Sequence, residues 1–212
     1  MIRIEGIKTD KEIKKYVDYY QTPFGKRIAE FEANLINTYT PAQATVVSIG
    51  CGPAVIENNL YQSRNDIKLI TLDKNKEMLK FVPSSLHPVQ ASATKIPLTS
   101  TIADILICIT SLEFMNNPKQ SLREIYRIIK PNGIFFALLL NPDSRYVQQK
   151  TSEGNSYIGR NLQQKTYDVI ISTISQLFNH YESKVDLYIE KCEIKKESSP
   201  NNARLLIMKA IK

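Results

Sequence analysis

The stretch Val46-Val47-Ser48-Ile49-Gly50-Cys51-Gly52-Pro53-Ala54 constrains this chain most. A β-branched apolar run of this kind marks a buried parallel strand, and it drops straight into two glycines. A helix-capable segment follows from Val55 to Tyr61, and a second apolar run, Ile67 to Leu72, ends on Asp73. Strand, glycine turn, helix, strand and terminal acid is the order of a nucleoside-binding βαβ unit. The glycines permit a tight turn and close approach of backbone to ligand, because no Cβ stands in the way. The acid stands where it can accept the hydroxyls of a ribose. A dinucleotide fingerprint needs a third glycine, where this chain has Ala54. The pattern therefore favours an adenosine ligand without a pyrophosphate over NAD. Packing alone can also require a glycine turn, but the acid at the matching spacing is an independent second feature.

The rest of the chain alternates in the same manner. Residues 8–38 predict two amphipathic helices. Ile13, Tyr16, Val17 and Tyr20 share a face of the first, which breaks at Thr22-Pro23-Phe24-Gly25; Ile28, Phe31, Leu35 and Ile36 mark the second. Such helices either form a lid over the ligand end of a sheet or cover a sheet edge, and the pattern fits both. Strands are expected at about 45–49, 67–72, near Val89, 102–109 and 134–140. Helices are expected at about 54–63 and 75–81 and from Pro118, with a turn at Lys130-Pro131-Asn132-Gly133. Residues 141–160 are polar, a helix is expected over 162–179, and strands over 185–194 and 203–211 flank a turn at 198–202. Two strands joined directly by a turn must run antiparallel. The expectation is an α/β fold: a doubly wound, seven-stranded, mostly parallel Rossmann-like sheet with a terminal antiparallel hairpin and an N-terminal helical lid. One domain is expected over 1–212, with 1–40 as lid, 41–140 as cofactor-binding core and 141–212 as substrate-side segment and hairpin.

The 212 residues, 42% of them hydrophobic, suffice for a full core. The longest apolar run, Ile134 to Leu140, is too short to span a bilayer, and Met1 to Glu5 leads into charged sequence rather than a signal-peptide core. A cytoplasmic protein with no membrane partner is expected. Cys51, Cys108 and Cys192 have no paired spacing, and His87 and His180 stand alone, so neither a disulfide framework nor a metal site is expected. The net charge of +7 would suit nucleic acid. The lysines are spread along the chain, however, with no arginine-rich or aromatic-basic block, and a solvated surface is the favoured meaning.

Several stretches resemble the class I S-adenosylmethionine-dependent methyltransferases, within the small members often labelled type 11. Ser48 to Pro53 is similar to their glycine motif, and Leu72 to Leu79 to a second motif in which the acid holds the ribose and the methionine packs on adenine. Ala91 to Leu98 is similar to the loop that edges the adenine, Ala103 to Cys108 to the fourth strand, and Leu122 to Gly133 to the helix and turn before the fifth. Tyr16 to Gly25 resembles an aromatic N-terminal segment that some members fold over the cofactor, and Asn141-Pro142-Asp143-Ser144 a link found in the subgroup. The resemblance, strong over about 44–140, implies S-adenosylmethionine as cofactor and S-adenosylhomocysteine as product. It nominates Tyr16, Ser48, Gly50, Cys51, Gly52, Asp73, Lys74, Met78, Ser92, Ala93, Ile109 and Thr110 as cofactor contacts. The chain departs from the family at three points. Ser48 replaces an acid that helps organise the methionine moiety, Ala54 replaces the third glycine, and Ser92 replaces the acid that meets the adenine amino group. A serine can still accept a hydrogen bond, but not a charge-assisted one.

Methyl transfer from a sulfonium asks the protein mainly for alignment and desolvation. No catalytic base is identifiable. Tyr19, Tyr20, Glu113, Tyr146 and Tyr157 are pocket candidates by position, and Thr110 and Ser111, just past the fourth strand, are candidates for lining the site. The favoured function is methyl transfer to a small-molecule acceptor, since no added RNA- or protein-binding domain is evident. The alternatives are an RNA or protein methyltransferase, which the charge supports, and a catalytically silent binding protein on the same fold, which the missing acids support.

Overall fold

The computed structural model describes residues 10–153 and 156–212. The expected helix start at residues 8 and 9, the Met1 to Glu5 segment and Gly154 lie outside the described residues. Helix α1 spans Asp10–Gln21 and α2 spans Pro23–Tyr39. A single residue separates them. The Thr22 hydroxyl accepts from the Gly25 N–H at 3.0 Å, and Pro23 occupies the first turn, where its missing N–H costs nothing. Gly25 is required by proximity: a Cβ there would lie 2.1 Å from the Tyr19 carbonyl oxygen.

Among the described residues eight strands form one sheet: β1 (Thr45–Ile49), β2 (Lys68–Asp73), β3 (Pro88–Gln90), β4 (Ala103–Ile109), β5 (Ile129–Leu140), β6 (His180–Glu190), β7 (Glu193–Lys195) and β8 (Ala203–Ile211). Their order is β3-β2-β1-β4-β5-β8-β6-β7. The first five are parallel; β8 pairs antiparallel with both β5 and β6, and β7 folds back on β6. Helices α3 (Val55–Ser63), α4 (Lys76–Leu79), α5 (Pro118–Ile128), α6 (Arg145–Ser152), α7 (Tyr157–Asn161) and α8 (Gln164–Leu177) complete the chain. Successive strand residues point to opposite faces. Val46, Leu69, Ile105 and Ile207 therefore pack towards α1, α2 and α3, while Val47, Ile70, Leu106 and Phe135 pack towards α5 and α8. Each large apolar side chain so buried contributes roughly 1.5–3 kcal/mol. Among the described residues no helix is long and apolar enough to cross a membrane.

The structure corrects three expectations. The sheet has eight strands rather than seven, because the run over 185–194 breaks at Lys191 and Cys192. Both have left-handed backbone (φ 46° and 61°), and the chain reverses there to add β7 as an edge. The expected turn at 130–133 is a bulge within β5. Pairing with β4 passes from Ala103↔Ile129 to Ile105↔Ile134, with Asn132 at φ 61° and Lys130 Nζ tied to Asp104 across the irregularity at 2.7 Å. The polar stretch 141–160 holds two short helices. Ser144 caps α6 by accepting from the Val147 N–H, and Ser156 caps α7 by accepting from the Gly159 N–H.

Candidate active site

Parallel pairing brings the carboxyl ends of β1, β2 and β4 to one edge of the sheet, where ligands of open α/β sheets bind. The turn after β1 is built for close approach. Gly50 and Gly52 have φ of +69° and +54°. A Cβ on Gly50 would lie 2.6 Å from the Ser111 Cβ, so the glycine lets the loop after β4 close against the turn. The Ser111 hydroxyl donates to the Ile49 carbonyl at 3.1 Å and fastens that closure. A Cβ on Gly52 would meet nothing within 4 Å. It would instead fill open space beside the backbone, the kind of cradle an adenosine ligand needs. Ala54, at the position of the absent third glycine, adopts the glycine-like conformation, φ 53°, and starts α3.

Asp73 ends β2 and joins this turn directly. Its Oδ2 accepts from the Gly52 N–H at 2.7 Å and its Oδ1 from the Asn75 N–H at 2.7 Å. A carboxylate offers about four acceptor sites, more than one donor can fill. Cys51 is fully buried, and its N–H donates to the Leu72 carbonyl. Met78 of α4, Tyr16 of α1 and Ile109 at the end of β4 are buried in the same apolar cluster as Cys51 and Ala54. Ala93 is buried on the opposite face. Lys74 and Ser92 are exposed; the Ser92 hydroxyl lies 2.8 Å from that of Thr94, in the loop expected to edge the adenine. Thr110 is fully buried at φ 41°, an outlier for a β-branched residue, with its N–H donating to the Leu138 carbonyl at 2.6 Å.

The acid absent at residue 48 reappears from another element. Ser48 is fully buried, and its hydroxyl donates to the carboxylate of Glu57, also fully buried, in the first turn of α3. Sequence reading missed Glu57; its signal is an acid among the inward positions Ile56 and Leu60 of a short helix.

The pocket candidates separate into two groups. Tyr20 packs edge-on to both Tyr16 and Tyr19, with centroids 5.3 Å apart in each pair. Tyr20 also lines a cavity of about 340 Å³ with Lys26, Ala54, Asn58 and Phe81. Tyr157 packs edge-on to Phe114, and Tyr146 lies beneath the guanidinium of Arg204, 3.9 Å from its ring centroid. Burial pushes the Tyr19 hydroxyl up to about 12, with Tyr146 and Glu32 adding to it, and burial raises Tyr146 as well. Glu113 sits in the loop after β4. Its Oε1 accepts from the Leu140 N–H at 2.8 Å, while its buried Oε2 has no hydrogen-bond partner among the described residues. Burial raises its carboxyl to about 7 against the pull of that N–H. Arg204 was also missed, because one cation opening an apolar strand reads as an ordinary strand end.

Residues 47–137 match the family model described as a methyltransferase domain. A curated relative, the uncharacterized methyltransferase YdaC of Bacillus subtilis (strain 168), is 24% identical over 94 residues, 42% of this chain and 52% of the relative. The malonyl-[acyl-carrier protein] O-methyltransferase of Enterobacter lignolyticus (strain SCF1) is 29% identical over 104 residues, 48% of this chain and 41% of the relative. The chain thus spans about half the length of the curated relatives it matches, or less. Among solved structures, a SAM-dependent methyltransferase from Thermotoga maritima superposes with a TM-score of 0.74 at 15% identity, covering 94% of this chain and 95% of the other.

Proposed function

We propose that this chain, a class I S-adenosylmethionine-dependent methyltransferase by fold and by the match over residues 47–137, transfers a methyl group to a small-molecule acceptor. The observation that carries the reading is the Gly52–Asp73 bond beside the open cradle at Gly52. It joins the glycine turn to the ribose-holding acid in one rigid unit. When bound, S-adenosylmethionine supplies an activated sulfonium methyl group.

The residues present fit that cofactor. Asp73 would accept the ribose hydroxyls, Gly52 would admit the ligand close to the backbone, and Met78, in the cluster beside Cys51 and Ala54, would offer apolar surface to the base. Ser48 and Glu57 together place a carboxylate beneath the turn, where it would support the methionine moiety as the family's acid does. Thr110 and Ser111, buried just past the end of β4, would back the site from behind the glycine turn. The lid residues Tyr16 and Tyr20 exclude water, which an in-line displacement needs more than it needs acid–base help. Where the acceptor must shed a proton, Glu113 is the candidate base: burial raises its carboxyl to about 7, which strengthens it as a base and leaves about half of it ionised at neutral pH.

Calorimetry with S-adenosylmethionine and S-adenosylhomocysteine tests the reading. The wild type is expected to bind both with micromolar affinity, and Asp73→Ala to weaken binding by about tenfold or more, the scale of losing hydrogen bonds to a charged acceptor. No binding at millimolar cofactor would sink it.

A further inference from the structure

We propose that Arg204 anchors the acceptor, and that the acceptor presents a carboxylate to it; this rests on the methyl-transfer reading above. Arg204 is the second residue of β8, and its carbonyl accepts from the N–H of Asn141, the residue after β5, at 2.9 Å. This places it at the carboxyl edge of the parallel strands, close to where Glu113 grips Leu140. Its guanidinium carbon lies over the face of Tyr146, 3.9 Å from the ring centroid, so the ring engages the cation without using its N–H donors as a carboxylate would.

No side-chain hydrogen bond and no carboxylate satisfies those donors among the described residues. Two other arginines are paired with carboxylates, Arg64 with Asp66 and Arg127 with Glu124, and Arg27 donates to the Cys192 carbonyl. The ionisable groups that act on Arg204 are Tyr146, Tyr19 and Cys192, none of them a carboxylate. Glu32 acts on Tyr19 but is not among them. Desolvation is the largest influence on Arg204 and disfavours its charge. A partly buried cation with no anion is costly unless a ligand completes it. Its planar fork matches a carboxylate in bidentate fashion. One guanidinium balances one negative charge. None of the groups acting on it is a second cation that a phosphate dianion would call for. Tyr19 belongs to α1, so the lid and the acceptor's charged end share a wall.

The test uses the full chain with S-adenosylhomocysteine bound and 15N-labelled arginine. The Arg204 Nε–Hε signal is assigned from its absence in Arg204→Lys, and succinate is titrated against succinamide and inorganic phosphate. Succinate is expected to shift the signal saturably and succinamide to leave it in place. Arg204→Gln is expected to weaken succinate binding by about tenfold or more, and Arg204→Lys to retain part of it. An equal response to succinamide, undiminished binding by Arg204→Gln, or a response to phosphate alone would overturn the proposal. So would loss of S-adenosylhomocysteine affinity in Arg204→Gln, which would make the residue a structural one. Failure of the wild type to bind S-adenosylhomocysteine would instead defeat the methyl-transfer reading, whereas intact cofactor binding with no succinate response defeats only this inference.

Discussion

Ala54 holds a left-handed conformation that costs an L-residue about 1–2 kcal/mol and glycine almost nothing. Its methyl is fully buried and returns part of that cost by packing. Ala54→Gly is expected to raise stability by roughly 0.5–1 kcal/mol, read as a higher urea midpoint at unchanged slope. A lower midpoint would mean that the methyl's packing outweighs the strain. Glu113 makes a second prediction at this scale. Its folded pKa of about 7 lies above the ordinary 4.5, so the fold prefers the protonated form. Its contribution is full below pH 4.5 and is lost as pH rises through about 7. Glu113→Gln imitates the protonated acid and keeps the acceptor for Leu140. It is expected to match the wild type in acid and to exceed it at pH 8 by up to about 3 kcal/mol, measured by denaturation across pH. The glycine turn after β1 and the acid ending β2 were legible in the sequence because strand and turn geometry tie them to a fixed spacing, whereas Met78 came only from the resemblance. Glu57 and Arg204 were not, because their roles depend on side chains that only tertiary folding brings against Ser48 and Tyr146.

Elements were legible where periodicity was strong. The β1–α3–β2 unit lies within a residue or so of its expected bounds, since an apolar run between turn residues has few other ways to fold. The misses fall where local and tertiary signals diverge. Lys130-Pro131-Asn132-Gly133 has the chemistry of a turn, yet pairing on both flanks keeps it inside β5 as a bulge. The α6 and α7 helices lack a long apolar stripe and depend on their serine caps and on Val147 and Ile158, buried against Phe114 and Leu140. The packing of α1 on α2 depends on one junction. Gly25→Ala would drive a Cβ into the Tyr19 carbonyl, so α1 must move away from α2. The expected outcome is faster amide exchange across residues 10–21, with the sheet still protected, and weaker S-adenosylhomocysteine binding. Uniform loss of protection would show instead that α1 and the sheet open as one unit.

For the whole molecule, alternation of strand and helix was enough to foresee helices on both faces of a mostly parallel sheet. It could not count the strands, because the break at Lys191 and Cys192 rests on two left-handed residues that carry no glycine signal. The net charge of +7 is dispersed, and several lysines are engaged: Lys130 with Asp104, Lys209 with Glu182 and Lys212 with the Tyr126 and Ile129 carbonyls. Such lysines serve the fold's surface.

The placement of β8 reaches beyond the finished molecule. It is the eighth strand in chain order, yet it lies between β5 and β6 and bonds to both. A ribosome delivers it after every strand it must join. Throughout synthesis the nascent chain therefore carries the outer rim of β5, with the apolar row Ile134 to Leu140, bare and ready to pair with any extended peptide nearby. The vulnerable moment of this protein is its birth rather than its working life: a stall before residue 203 leaves an adhesive intermediate, and the last strand, once threaded home, turns that liability into the middle of the sheet.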